Sequence, residues 1–129
     1  MADVIRKRDL DRAKAWCVSH YRLDGWKLSF EYTDVPPVWL HETGHEGSPA
    51  WYRCDLQLST ATVWISPKMC SEQGCCPMGA MFHEMAHLGL TASSIGQTHV
   101  MAEFMVDRIA DMARFSYENG LTPWGKVDG

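Results

Sequence analysis

The sequence His-Glu-x-x-His occurs twice, as His41-Glu42-Thr43-Gly44-His45 and as His83-Glu84-Met85-Ala86-His87. Two imidazoles four residues apart converge on one metal ion only on a helix, where positions i and i+4 share a face. The glutamate beside the first histidine then points near the open position of the metal, where it can take a proton from water. The first copy lacks a helix to sit on. It follows Pro36-Pro37, carries Gly44 inside and runs into Gly47-Ser48-Pro49. His41 and His45 therefore read as loop residues, with the rim of a cleft or a second, weak metal site as the remaining roles. The second copy has its helix. Pro77 suits a first turn, and Met78, Met81, Phe82, Met85 and Leu88 recur up to an end expected near Gly89. The competing reading is a core helix whose histidines hydrogen-bond their neighbours.

Downstream, His99, Glu103 and Asp107 lie four residues apart on a segment otherwise rich in Val100, Met101, Phe104, Met105, Val106 and Ile109. Unpaired carboxylates beside a core are costly. Metal ligation by Glu103 would remove that cost. Asp107, one turn later, could accept the outer N–H of a ligand histidine, His83 first among them, and fix its tautomer. The alternative is a solvated helix face with Asp111 and Arg114 on its edges.

The elements that must position these residues can be read in order. Leu10, Ala13, Cys17 and Tyr21 predict a helix from about Asp9 to Tyr21. Trp26, Leu28, Phe30 and Tyr32 alternate with polar residues, which predicts a half-buried strand over 26–33. A second alternating run, Ala50, Tyr52, Cys54, Leu56 and Leu58, precedes a polar turn near Ser59-Thr60. Ala61, Val63 and Ile65 continue as a third strand, ended by Ser66-Pro67, and the two runs read as an antiparallel hairpin. Lys68 to Cys76 reads as a polar loop ahead of the metal-motif helix. The last helix is expected to start after Thr98, an N-cap residue, and to stop at Asn119-Gly120. The order is helix, three strands, helix, helix: one α+β domain over 1–129, with a small antiparallel or mixed sheet, a central motif-bearing helix and a C-terminal glutamate-bearing helix.

With these residues in view, His83-Glu-x-x-His87 followed by Glu103-x-x-x-Asp107 resembles the gluzincin metallopeptidase pattern. Fifteen residues separate His87 from Glu103, a short interval that suits the minimal gluzincins and their SprT-like relatives. Trp26-Lys27-Leu28-Ser29-Phe30 is similar to their first strand, and Cys54 with Val63-Trp64-Ile65-Ser66 to the hairpin before their metal helix. SprT-like proteins usually take a third histidine, so the gluzincin variant is the better match. The resemblance spans roughly residues 8 to 115 in element order, and only the metal motif is specific. It implies a zincin-like fold and one zinc per chain, held by His83, His87 and Glu103 with Asp107 behind a ligand histidine. It implies Glu84 as general base in peptide hydrolysis. It also implies a peptide or unfolded-protein substrate added to an edge strand near Val63 to Ser66. His99, Tyr117 and His45 are the candidates to stabilise the oxyanion.

Composition is consistent with this frame. The 129 residues carry a net charge of -4, which argues against a broad nucleic-acid-binding face. No run is long and apolar enough for a membrane span. Six Trp, four Tyr, four Phe and eight Met supply a core. Five cysteines, an odd count with no secretory signal ahead of them, point to a reducing, cytoplasmic setting. Cys70, Cys75 and Cys76 read as ordinary thiols near the mouth of the site, with a structural zinc shared with Cys54, or a disulfide, as alternatives. Trp64 is expected in the core and Trp51 on the polar side of its strand. Two other functions compete with the peptidase: a metal-stabilised binding or regulatory protein with little turnover, and a hydrolase of non-peptide amides.

Overall fold

The computed structural model describes residues 5–44, 47–93 and 103–120, without the side chains of Glu42, Thr43, Ala92, Ser93, Glu103 and Phe104. Helix α1 spans Lys7–His20, strand β1 Lys27–Tyr32, strand β2 Ala50–Asp55 and strand β3 Thr60–Ile65. Helices α2, α3 and α4 follow at Pro67–Glu72, Pro77–Ser93 and Glu103–Glu118. A 3-10 helix, Val38–Thr43, lies between β1 and β2. The molecule is α+β with a small mixed sheet.

The sheet order is β1-β3-β2. β1 runs parallel to β3, with Phe30 opposite Val63, and β2 runs antiparallel to β3, with Tyr52 opposite Val63. Leu28, Phe30, Ala61, Val63, Ile65, Tyr52 and Cys54 thereby share one face, where they join the core formed with the helices. That core draws on all four α-helices and all three strands, from Leu10 and Cys17 in α1 to Val106 and Ala113 in α4. Trp64 points to the other face yet is fully buried, and its indole N–H donates to the Thr33 carbonyl at 2.9 Å. Among the described residues no helix is long and apolar enough to cross a membrane.

Four expectations need correction. Val63 to Ser66 is not an edge: β3 is the central strand, hydrogen-bonded on both sides. The second strand stops at Asp55, because the Asp55 carboxylate accepts from Leu58 N at 3.1 Å and closes a turn. Ser59 then takes φ 52, and Leu56 and Leu58 are exposed. The segment after Ser66 is a short helix, α2, where a loop was expected. Ser66 caps it by accepting from Met69 N at 3.1 Å, and Pro67 fills its first turn. Finally, α3 passes through Gly89 to Ser93; Gly89 makes room for the ring of Tyr21, the residue after α1, and does not end the helix. The proposed cap at Thr98 lies outside the described residues.

Candidate metal centre

Helix α3 is apolar nearly all round: Met81, Phe82, Met85, Ala86 and Leu88 are buried. Such a helix is held on several sides, by β2, β3, α1 and α4, so its few polar side chains are fixed in direction. His83 and His87, one turn apart, bring their Nε2 atoms to 3.2 Å. Two nitrogens about 2.0–2.1 Å from one tetrahedral zinc lie about 3.3 Å apart, so the pair has the spacing of two ligands to one ion. A hydrogen bond from His87 Nε2–H to His83 Nε2 in a neutral pair would have the same spacing.

The other nitrogen of His83, Nδ1, is 2.8 Å from the Asp107 carboxylate of α4. An acidic partner at Nδ1 keeps the proton there and leaves the Nε2 lone pair facing His87. His87 is oriented differently. The Tyr52 ring of β2 stacks on it, with centroids 5.6 Å apart at 17°, and the Tyr52 hydroxyl lies 3.3 Å from Thr91 Oγ1. A strand, a helix and a second helix thus position two imidazoles.

Glu84 is only 5% exposed. It lines the same cleft as His83 and His87, a space of about 470 Å³ that Trp51 of β2, Cys76 and Arg114 also border. A buried carboxylate beside two imidazoles can exchange a proton with a group held between them.

The sequence-derived residues divide plainly. His83, Glu84 and His87 meet in one cleft, and Asp107 meets His83. Glu103 is the first residue of α4, one turn before Asp107, and its side chain lies outside the described set. His99 and His45 lie outside it as well. Tyr117 is placed elsewhere: its ring packs on Phe82 and Trp16, at centroid distances of 5.5 and 5.9 Å, and does not border the cleft. His41 is exposed on the 3-10 helix, which Gly44 ends with φ 75, so His41 to Gly44 do not lie on an α-helix. Among the described residues no three His, Cys, Asp or Glu side chains are grouped to hold a metal, the cysteines included. Cys75 and Cys76 do border the cleft.

Two contributors escaped the sequence reading. Tyr52 had a signal, since its alternation puts it on the face that meets α3. Arg114 had one too: it follows Asp107 by seven residues, two helical turns on the same face. Comparison with protein-family models, with curated proteins and with solved structures gives no match.

Proposed function

We propose that this protein is a zinc-dependent peptidase, in which His83, His87 and Glu103 hold one metal ion and Glu84 is the general base. The observation that carries the reading is the pair of Nε2 atoms 3.2 Å apart, with Asp107 behind His83 at 2.8 Å. A ligand histidine almost always donates its outer N–H to an acceptor such as a carboxylate, and Asp107 supplies one to His83.

Zinc, when bound, supplies a Lewis acid that polarises a carbonyl and acidifies water. The chain's own residues do the rest. Asp107 keeps His83 in the tautomer whose Nε2 lone pair is available. Glu84 accepts the proton of the attacking water and passes it to the leaving amine. Among the described residues strand β2 has a strand partner on one side only, and Ala50 and Trp51 border the cleft. An extended peptide pairing with the outer edge of β2 would run past His83 and Glu84. This reading puts the substrate on β2, not on the Val63–Ser66 segment. We place the protein in a reducing, cytoplasmic setting, supported by five cysteines with no disulfide among them.

The test pairs metal content with turnover. The parent should bind about one zinc per chain, and His83→Ala, His87→Ala or Glu103→Ala should each remove most of it. Glu84→Gln keeps size and hydrogen bonding but loses basicity. It should retain zinc and lose nearly all cleavage of an unstructured protein substrate. Equal cleavage by Glu84→Gln and the parent would refute the role of Glu84. Zinc binding with no cleavage across a broad peptide library would favour the metal-stabilised binding protein instead.

A further inference from the structure

Among the described residues that border the cleft, Arg114 is the one lysine or arginine. Its Nε donates to Glu118 Oε1 at 2.9 Å, which anchors the guanidinium from within α4. The two Nη ends reach across to the start of α3. A Cβ at Gly79 would stand 3.2 Å from Nη1, so the glycine leaves the room that the guanidinium occupies. Among the described residues Nη2 has only the Cys76 sulfur, at 3.9 Å. Sulfur is a weak acceptor. Among the described residues no oxygen acceptor meets either Nη group, although the side chain is only a third exposed. A planar fork anchored at Nε and open at Nη matches the two oxygens of a carboxylate.

Its register against the candidate metal centre is set by two helices. Asp107 of α4 meets His83, and Arg114, two turns later, meets Gly79, one turn before His83. One turn is about 5–6 Å along α3, and an extended peptide advances about 3.3 Å per residue. A peptide running along α3 from His83 toward Gly79 would therefore meet the fork about two residues from the reacting bond.

We propose that the Nη edge of Arg114 is a carboxylate-binding subsite of this cleft, selecting peptides with an acidic side chain or a C-terminal carboxylate about two residues from the cleaved bond. The proposal rests on the peptidase reading for the cleaved bond, but not for the binding of the carboxylate. The expected selectivity is about 10-fold, the lower end for a charge-assisted pair, because the side chain is partly solvated and Glu118 already shares its charge.

The experiment uses the zinc-loaded full chain and matched peptides. Glu or Gln is scanned along one unstructured sequence, and each peptide is made with a free or an amidated C-terminus. The parent should show a Glu-over-Gln or an acid-over-amide rate ratio of about 10, which identifies the source of the carboxylate. Arg114→Gln should bring that ratio to about one, and Arg114→Lys, which keeps charge but loses the fork, should restore part of it. A parent ratio near one, or a ratio that survives in Arg114→Gln, overturns the subsite. If the parent cleaves nothing, the peptidase reading fails, and the same ratios are taken from dissociation constants measured by calorimetry. An acidic preference in affinity that Arg114→Gln abolishes then upholds the subsite alone. Equal affinities, or no binding at all, overturn it too.

Discussion

At the scale of single residues, Asp107 and the cysteines give the sharpest expectations. The Asp107 side chain is largely exposed, so little of its worth is in stability. Its effect should appear in the metal affinity of His83. Asp107→Ala should weaken zinc binding by about 10–100-fold with an unchanged unfolding midpoint. Competition with a chromogenic chelator reads the first quantity and urea titration the second. Unchanged affinity would leave the 2.8 Å contact as a surface interaction without a metal role. The five thiols should also separate by environment. Cys17 and Cys70 are fully buried; burial pushes the Cys17 thiol well above its ordinary value and Cys70 up to about 12. Cys54 is partly buried and also raised. Cys75 and Cys76 are exposed. Because the thiolate is the nucleophile, a thiol reagent at neutral pH should modify Cys75 and Cys76 first, then Cys54, with Cys17 and Cys70 reacting only on unfolding. A single rate for all five would contradict this order.

At the scale of elements, the contact between α1 and α3 depends on one missing side chain. The Tyr21 ring lies where a Cβ on Gly89 would be, 2.5 Å from the ring carbons Cγ and Cδ1. Alanine is the better helix former by about 1 kcal/mol. Overpacking a filled site costs about 1–3 kcal/mol, and here the obstacle is the body of a ring, not the end of a flexible chain. Gly89→Ala should therefore lower the urea midpoint, and a rise would show that the ring shifts freely. Most elements were legible from the alternation at 26–33 and 50–54 and from the helical spacing at Leu10, Ala13 and Cys17. The run to Leu58 misled because Asp55 closes the turn through its own side chain, a local bond that overrides period two. Helix α2 was announced by Ser66-Pro67, a cap followed by a first-turn proline, but the same pair also ends strands. Asp34 then ties that corner to the end of β1, accepting from Ser66 Oγ at 2.9 Å and Lys68 N at 2.8 Å. No pattern in the sequence marks such a long-range bond.

At the scale of the whole molecule, stability should depend on the charge state of His20. Its ring stacks on Trp16 with centroids 4.7 Å apart, and burial lowers its pKa from the ordinary 6.5. The unfolded chain then binds the proton more readily than the folded one. Stability from the neutral ring is complete above about pH 6.5 and is lost as the pH falls through the folded value. The parent should lose stability between pH 7.5 and 5.5, and His20→Gln should lose less over the same interval. Urea titrations at several pH values measure both slopes. Parallel slopes would assign the acid sensitivity to other groups.

The sequence by itself determined the local facts. Spacing of four on an apolar helix was enough to place His83 and His87 on one face, because helical geometry admits no other arrangement. The broken surroundings of His41 kept His41 to Gly44 off an α-helix. Asp107 could be named as a carboxylate partner for a histidine, but its meeting with His83, 24 residues away, is a contact between α3 and α4. Tertiary structure decided what depends on crossing chains. Sheet order put β2 at an edge and β3 in the centre, which alternation cannot distinguish, since a strand reads the same in either place. Packing sent Tyr117 to Phe82 and Trp16 and brought Arg114 over Gly79. Both sit on one helix within three residues of each other, and only the neighbours on either side of α4 determine which of them borders the cleft.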